Sequence, residues 1–307
     1  MSGRDFTTTG LLESIKRRAN VPINQSTFTA TRILAFADDE MVDTVIPMIR
    51  EQRNDHFVTS SDTTTTSAVE YAIHAQAMNR GLYNVAILDT EGNPCALTRV
   101  DFDREIAPGE WSWHARFRGG LAYYVRGDSL FLYPESQSGE TLRQYFERIP
   151  NKLIETTAAG LVTSVNTGTG VITCSGGVPS SISTSTPICA VKQSPGFALR
   201  FEAQTPSAKT GTTVTVTPAQ MANVIAGDYI ALDGESPIVQ LPVEAHSVLA
   251  QAVAVKLLES MGDEYLSVAQ QKLQGAIQAY RQSFPVRVEQ APKRVFARNR
   301  LADFVRG

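Results

Sequence analysis

Residues 227–263 read GDYIALDGESPIVQLPVEAHSVLAQAVAVKLLESMGD, and the hydrophobic pattern changes period inside this stretch. Gly227-Asp228 opens a short apolar run, Tyr229 to Leu232, with the character of a last β-strand. From Leu241 onward apolar residues recur at three- and four-residue steps, which is helical spacing. Pro242 suits the first turn of that helix, and Glu244 complements the positive end of its dipole. Val248, Leu249, Ala252, Val253, Val255 and Leu257 form a broad apolar surface softened by alanine, wide enough to pack on more than one neighbour. Gly262 ends the helix. A further helix over 263–283 sets Leu266, Ala269, Leu273, Ile277 and Tyr280 on one face, with Gln, Lys and Arg opposite.

The other end of the chain is helical as well. Gly10–Asn20 (GLLESIKRRAN) follows three threonines able to cap it, and gathers Leu11, Leu12 and Ile15 on one side with Lys16, Arg17 and Arg18 off it. Pro22 breaks this helix by holding its predecessor out of the α region. A second amphipathic helix restarts at Ser26/Thr27 and carries Ile33, Phe36, Ala37, Met41, Val45 and Ile49; Pro47 inside the pattern should kink it or end it early.

Between these ends the period is that of strands. A threonine-rich link, SSDTTTTS at 60–67, leads into Leu82–Leu88 and Cys95–Val100, which read as one hairpin across the turn residues 89–94. Tyr123–Arg126 and Ser129–Tyr133 read as another, closed by Gly127-Asp128. Thr141–Arg148 alternates Leu142, Gln144 and Phe146 against Arg143, Tyr145 and Glu147, as a strand on the same core would. Residues 156–220 hold 22 Ser/Thr and only four charged groups, Lys192, Arg200, Glu202 and Lys209. Their short β-branched runs, Leu161–Val165, Val171–Cys174, Ile188–Lys192 and Thr213–Thr217, predict a small antiparallel module; a disordered linker is the alternative, disfavoured by the recurring apolar residues.

The expectation is therefore an α+β fold: a helical bundle formed by N- and C-terminal helices, with an inserted antiparallel β region and an extended C-terminal tail. The boundaries fall at 1–58 for the N-terminal bundle helices, 59–155 for the antiparallel β region and 156–226 for the Ser/Thr-rich insertion. The final strand and C-terminal helices occupy 227–283, and a basic tail occupies 284–307.

Composition bounds the function. The 307 residues, 42% hydrophobic and 19% charged, suit a globular chain of about two domains at roughly 100–200 residues each. No apolar run approaches the ~18 residues that span a bilayer, and the residues after Met1 lack the apolar centre of a signal peptide, so a soluble chain made in a cytoplasm is expected. Cys95, Cys174 and Cys189 are too few and too widely spaced for a disulfide framework or a zinc site, and read as small buried thiols. His56, His74, His114 and His246 show no ligand spacing. Asp38-Asp39-Glu40 with Asp43 lacks the glycine and alternation of a calcium loop and reads as a solvated helix face. Neither a nucleophile elbow nor a phosphate-binding loop occurs. No catalytic, cofactor or metal residue is assigned, and the chain is not expected to be an enzyme.

Charge supplies the most informative feature. Residues 281–307 carry seven Lys/Arg against two Asp/Glu, a net of +5 on a chain whose total is −3. Arg287, Lys293, Arg294, Arg298 and Arg300 are interleaved with Phe296 and Phe304, and Pro285 and Pro292 prevent one continuous helix. A solvating tail has no use for such anchors. A tail that orders on a partner fits them better, and an acidic protein groove is favoured over nucleic acid because the rest of the chain is itself acidic.

Four stretches, LLESIKRRANVPINQSTFTATRILAFADDEMVDTVIPMI (11–49), LYNVAILDTEGNPCALTRV (82–100), YYVRGDSLFLYP (123–134) and 227–263, resemble head-assembly proteins of tailed bacteriophages, in particular the head-to-tail adaptor (neck or connector) proteins that dock under the portal ring. The resemblance implies a virion protein of the neck, assembled in the host cytoplasm as a homo-oligomeric ring of twelve copies matching the portal protein. It also implies contacts with tail tube, nozzle or fibre proteins, and genome DNA passing through the lumen without specific binding; no membrane is involved. On that reading Arg287, Lys293, Arg294, Phe296, Arg298, Arg300 and Phe304 dock the tail on the portal, and Val248, Ala252 and Val255 face a neighbouring subunit. A fibre-anchoring or receptor-binding protein of the tail, recognising its partner through 156–226, is the alternative; a hydrolase acting through a carboxylate pair is a third reading.

Overall fold

The Thr7 side chain accepts a hydrogen bond from the Gly10 N–H and starts α1, Thr8–Arg18, which buries Leu11 and Ile15. The computed structural model describes residues 5–21, 27–53, 56–100, 122–133, 139–194, 199–221, 223–262 and 264–283. Helix α2, Ala30–Glu40, runs through a π turn, Met41–Val45, into α3, Ile46–Gln52, with Pro47 in the first turn of α3. A proline in mid-helix has no N–H to give, and its ring collides with the carbonyl four residues back. The helix widens by one residue ahead of Pro47, the Ile46 N–H reaching the Met41 carbonyl, and so passes the proline without ending.

Helix α4, Val243–Met261, buries eleven of its nineteen residues, because α1, α2, the π turn and α5 (Leu266–Ser283) all pack on it. Its near-continuous apolar surface is what an enclosed helix requires. Leu249, Val253 and Leu257 are fully buried, each contributing about 1.5–3 kcal/mol by area. Gly262, at φ +66°, provides the left-handed stop. Helix α5 buries only Ala269 and Tyr280 and lies on the outside.

The helices are nevertheless the minority, and the expected class is corrected: the described chain is mostly β. The threonine run read as a link is strand β1, Val58–Thr64, paired antiparallel with β8, Thr141–Arg148, from Val58↔Glu147 to Thr64↔Thr141. Threonine, branched at Cβ, favours this pleated geometry. Strand β8 also pairs with β3, Ala77–Leu88, and β3 with β4, Pro94–Ala96, completing a four-stranded sheet. A second four-stranded sheet has the order β2 (Glu70–Ala72), β7 (Ser129–Tyr133), β6 (Ala122–Arg126), β5 (Thr98–Arg99). In its β6–β7 hairpin Gly127, at φ +60°, is the one positive-φ residue of the two-residue turn. The expected partner of β3 divides, with Pro94–Ala96 staying on β3 and Thr98–Arg99 crossing to pair parallel with β6. Tyr71, Val85, Tyr123, Leu130, Leu142 and Phe146 fill the core the two sheets share.

Nor is the remainder a small insertion. Seven strands form one antiparallel sheet in the order β13 (Leu199–Gln204), β12 (Ile188–Val191), β16 (Tyr229–Leu232), β10 (Gly160–Asn166), β11 (Val171–Ser175), β15 (Thr213–Thr215), β14 (Ala208–Lys209). It takes in β16, beyond the expected boundary at 226. Ile188, Ala190 and Ile230 face one core with Val162, Ile172 and Phe201; Cys189, Val191 and Ala231 face another with Ala159 and Ile238. Strand β12 is thus covered on both sides, which explains its unbroken apolar sequence ICAV. A short parallel pair, β9 (Lys152–Leu153) with β17 (Glu235–Ser236), lies at the start of the segment leading to α4.

Candidate functional site

Two arrangements of polar side chains stand out, one inside the molecule and one on the helices. The inner one begins at Arg148, the last residue of β8, whose side chain is 5% exposed. Its Nη1 donates to Oε2 of Glu202 on β13, and its Nη2 donates to Oδ1 of Asn151 at 3.3 Å. His74 Nε2 lies 3.2 Å from Oε1 of the same Glu202, and its ring stacks on Phe146 at 4.8 Å between centroids. The Asn151 N–H donates to Gln240 Oε1 at 2.8 Å, and Asn151 Nδ2 donates to the Glu235 carbonyl at 3.1 Å. One cluster therefore ties the two-sheet core, the seven-stranded sheet and the approach to α4. Burial alone would push the Glu202 carboxyl up, but the hydrogen bonds and charges of His74 and Arg148 more than reverse this and hold it at about 2.

On the helices, α4 and α5 are bordered by two hollows. One, of about 460 Å³, is lined by Arg17, Arg18, Asn20, Gln251, Tyr265 and Lys272. Gln251 is 3% exposed; its Oε1 accepts from Arg18 Nη1 at 2.9 Å and its Nε2 donates to the Ala269 carbonyl at 3.1 Å, so both polar atoms are used. Burial and then repulsion by Arg17 lower the pKa of Arg18. The other hollow, of about 860 Å³, lies against α2 and the π turn and includes Glu40, Thr44, Lys256, Glu259, Gln271 and Gln274. There Lys256 Nζ stands 3.8 Å from Glu40 and 3.7 Å from Glu259.

The residues singled out from sequence fall as follows. Val248, Ala252 and Val255 are 1%, 1% and 8% exposed within the single chain; Val248 packs in its own helical core, while Ala252 and Val255 form the floor of the larger hollow. Arg287, Lys293, Arg294, Phe296, Arg298, Arg300 and Phe304 lie outside the described residues, as does His114. His74 joins the Glu202 cluster, whereas His246 Nε2 lies 3.1 Å from the Leu241 carbonyl, on the helices. Cys174 and Cys189 are buried, with pKa values raised to about 11 and about 12, chiefly by burial. Cys95 is exposed on β4, correcting the expectation of three buried thiols.

The acidic run is divided rather than uniformly solvated. Asp38 Oδ1 accepts the Leu153 N–H at 2.8 Å, joining α2 to β9, and Glu40 is 8% exposed, leaving Asp39 and Asp43 on the open face. Burial raises the Asp38 pKa to about 6. Among the described residues no group of three or more His, Cys, Asp or Glu is arranged to hold a metal ion, and no described helix is long and apolar enough to cross a membrane.

Sequence reading missed the Arg148–Glu202 cluster and the convergence of Arg17 and Arg18 with Lys272. The run Lys16-Arg17-Arg18 was a visible signal for the second. Nothing local signals the first. No protein-family model matches this chain, and no curated protein matches it.

Proposed function

We propose that this chain is a structural protein of a tailed-phage virion: the head-to-tail adaptor, a ring of twelve copies that docks under the portal, joins capsid to tail and conducts the genome through its lumen. The reading rests on the resemblance carried by residues 11–49, 82–100, 123–134 and 227–263. The structural observation that supports it is the part these stretches play in the frame. In one run, 227–263 supplies β16 inside the seven-stranded sheet and α4, on which the other helices pack. Sheet and helices are thereby coupled through a short covalent path and the buried polar cluster around Arg148, which suits a part that carries load between two larger bodies. The basic segment after Ser283 is the portal-docking element, and the seven-stranded sheet faces tail tube, nozzle or fibre proteins.

Negative-stain microscopy of the full chain, alone and mixed with portal rings from the same particle, tests the proposal. Rings seated coaxially on portals are expected. A monodisperse single subunit that never joins a portal contradicts it.

A further inference from the structure

The helices carry two exposed surfaces of opposite charge, one where α1 meets α5 and one on α2 and the π turn. Tyr265, just before α5, and Val268 and Lys272 on it recur at three- and four-residue steps and line the hollow with Arg17 and Arg18 of α1. Tyr265 is 60% exposed and Val268 46%. Among the described residues no carboxylate pairs with Arg17, Arg18 or Lys272. The surface is thus an exposed apolar centre edged by three cations.

The opposite flank of α5 presents Ser267, Gln271, Gln274 and Gln278 toward the hollow against α2. Beyond it, α2 and the π turn expose Asp39 and Asp43, with Val42 between them at 49% exposure. Neither carboxylate makes an ion pair or hydrogen bond among the described residues. This second surface is again an apolar centre edged by charge, now negative.

We infer that the Arg17–Arg18–Lys272 flank of one subunit receives the Asp39–Val42–Asp43 flank of the next copy of this chain. The inference rests on the ring proposed above and names the contact that builds it. Because the two surfaces are different patches of one chain, the contact is heterologous and repeats from copy to copy until the ring closes. Unlike charges select the register, and like charges oppose the two-fold pairing of either flank with itself. The buried Val248 and Ala252 of α4 then support the interface from beneath and do not form it. Duplex DNA would engage only the basic flank and leave the acidic one unexplained.

Sedimentation velocity of the full chain, alone and on portal rings, tests the contact with two variants, Arg17→Glu/Lys272→Glu and Asp39→Lys/Asp43→Lys. All four side chains are exposed, so both variants should melt as the parent does. Each alone should need about tenfold or more protein to assemble, since like charges then meet at every contact. An equimolar mixture should assemble like the parent, because alternating copies restore unlike charges throughout. If the parent forms rings and either variant assembles equally well, or if the mixture stays as dissociated as its components, this contact is wrong while the ring proposal stands. Loss of DNA retention with intact rings would assign the basic flank to nucleic acid instead. A parent that is monomeric at every concentration, with portal rings present or absent, removes the ring proposal and this contact together.

Discussion

Arg148 and Glu202, fifty-four positions apart in sequence, meet between two sheets, the guanidinium of one bonded to the carboxylate of the other. Arg148 is nearly enclosed, and its Nε has no partner among the described residues, so Glu202 and Asn151 carry its compensation. Replacing Arg148 with Met leaves Glu202 without its strongest counter-charge and should cost about 3 kcal/mol, measured by chemical denaturation. Glu202→Gln keeps a hydrogen-bonding side chain but leaves the nearly enclosed Arg148 without its counter-charge, and should likewise cost about 3 kcal/mol. The pH dependence has a definite sign. The Glu202 pKa lies at about 2 against an ordinary value of 4.5, so its contribution is full above pH 4.5 and is lost as pH falls toward 2. Glu202→Gln should flatten that acid limb.

Asp38 acts in the opposite direction. Burial raises its carboxyl to about 6 from 3.8, so the stability linked to its protonation is full below pH 3.8 and is lost as pH rises through about 6. Asp38→Asn retains an acceptor for the Leu153 N–H without ever ionising. The variant should melt like the parent near pH 3.5 and be more stable by about 1 kcal/mol at pH 8, after allowance for partial exposure of the side chain. Equal melting temperatures at pH 8 would show that Asp38 ionises there without strain.

Two glycines with similar backbone angles should respond differently to alanine. Gly170, at φ +73°, lies where a Cβ would run into the Val216 carbonyl oxygen, and the Val216 N–H bonds back to Gly170 at 2.9 Å. Gly92, at φ +84°, has nothing within 4 Å of an added Cβ. Gly92→Ala should cost about 1 kcal/mol for its backbone angle alone, whereas Gly170→Ala should cost about 3 kcal/mol or more, because the β11–β15 edge must shift. Paired thermal melts measure the difference.

Truncation after Ser283 separates folding from docking. The cut removes no part of α5, Leu266–Ser283, and keeps its buried residues Ala269 and Tyr280. The shortened chain should keep its circular dichroism spectrum and melting temperature while losing portal binding in a pull-down. Undiminished binding would remove Arg287, Lys293, Arg294, Phe296, Arg298, Arg300 and Phe304 from the docking role.

What could be read in the sequence was the local part of the fold. The Thr7 cap, the Gly262 stop and the Gly127-Asp128 turn depend on residues a few positions apart; the last two formed where expected, while α1 starts two residues earlier than its apolar spacing suggested. Strand β8 also formed where expected, its alternation carried by Leu142, Gln144 and Phe146 over eight residues. The balance of the fold was not legible. Strands of two to four residues, such as β5, β9, β14 and β17, are too short for periodicity to register, while the long helices α4 and α5 register strongly. The threonines of β1 read as a link because a polar edge strand has no apolar alternation to show. Pairings such as Thr98↔Ala122, and the meeting of Arg148 with Glu202, depend on the course of the whole chain. The charged flanks were half visible: Lys16-Arg17-Arg18 is a run, but only packing brings Lys272 beside it.

The most direct measurement is native mass spectrometry of the full chain mixed with its portal ring. Twelve copies of the chain on each portal are predicted, in a complex that withstands dilution to concentrations at which the free chain dissociates. Intact portal rings accompanied only by free single subunits would contradict the central claim that this chain works by contact with its own copies and with a neighbouring ring.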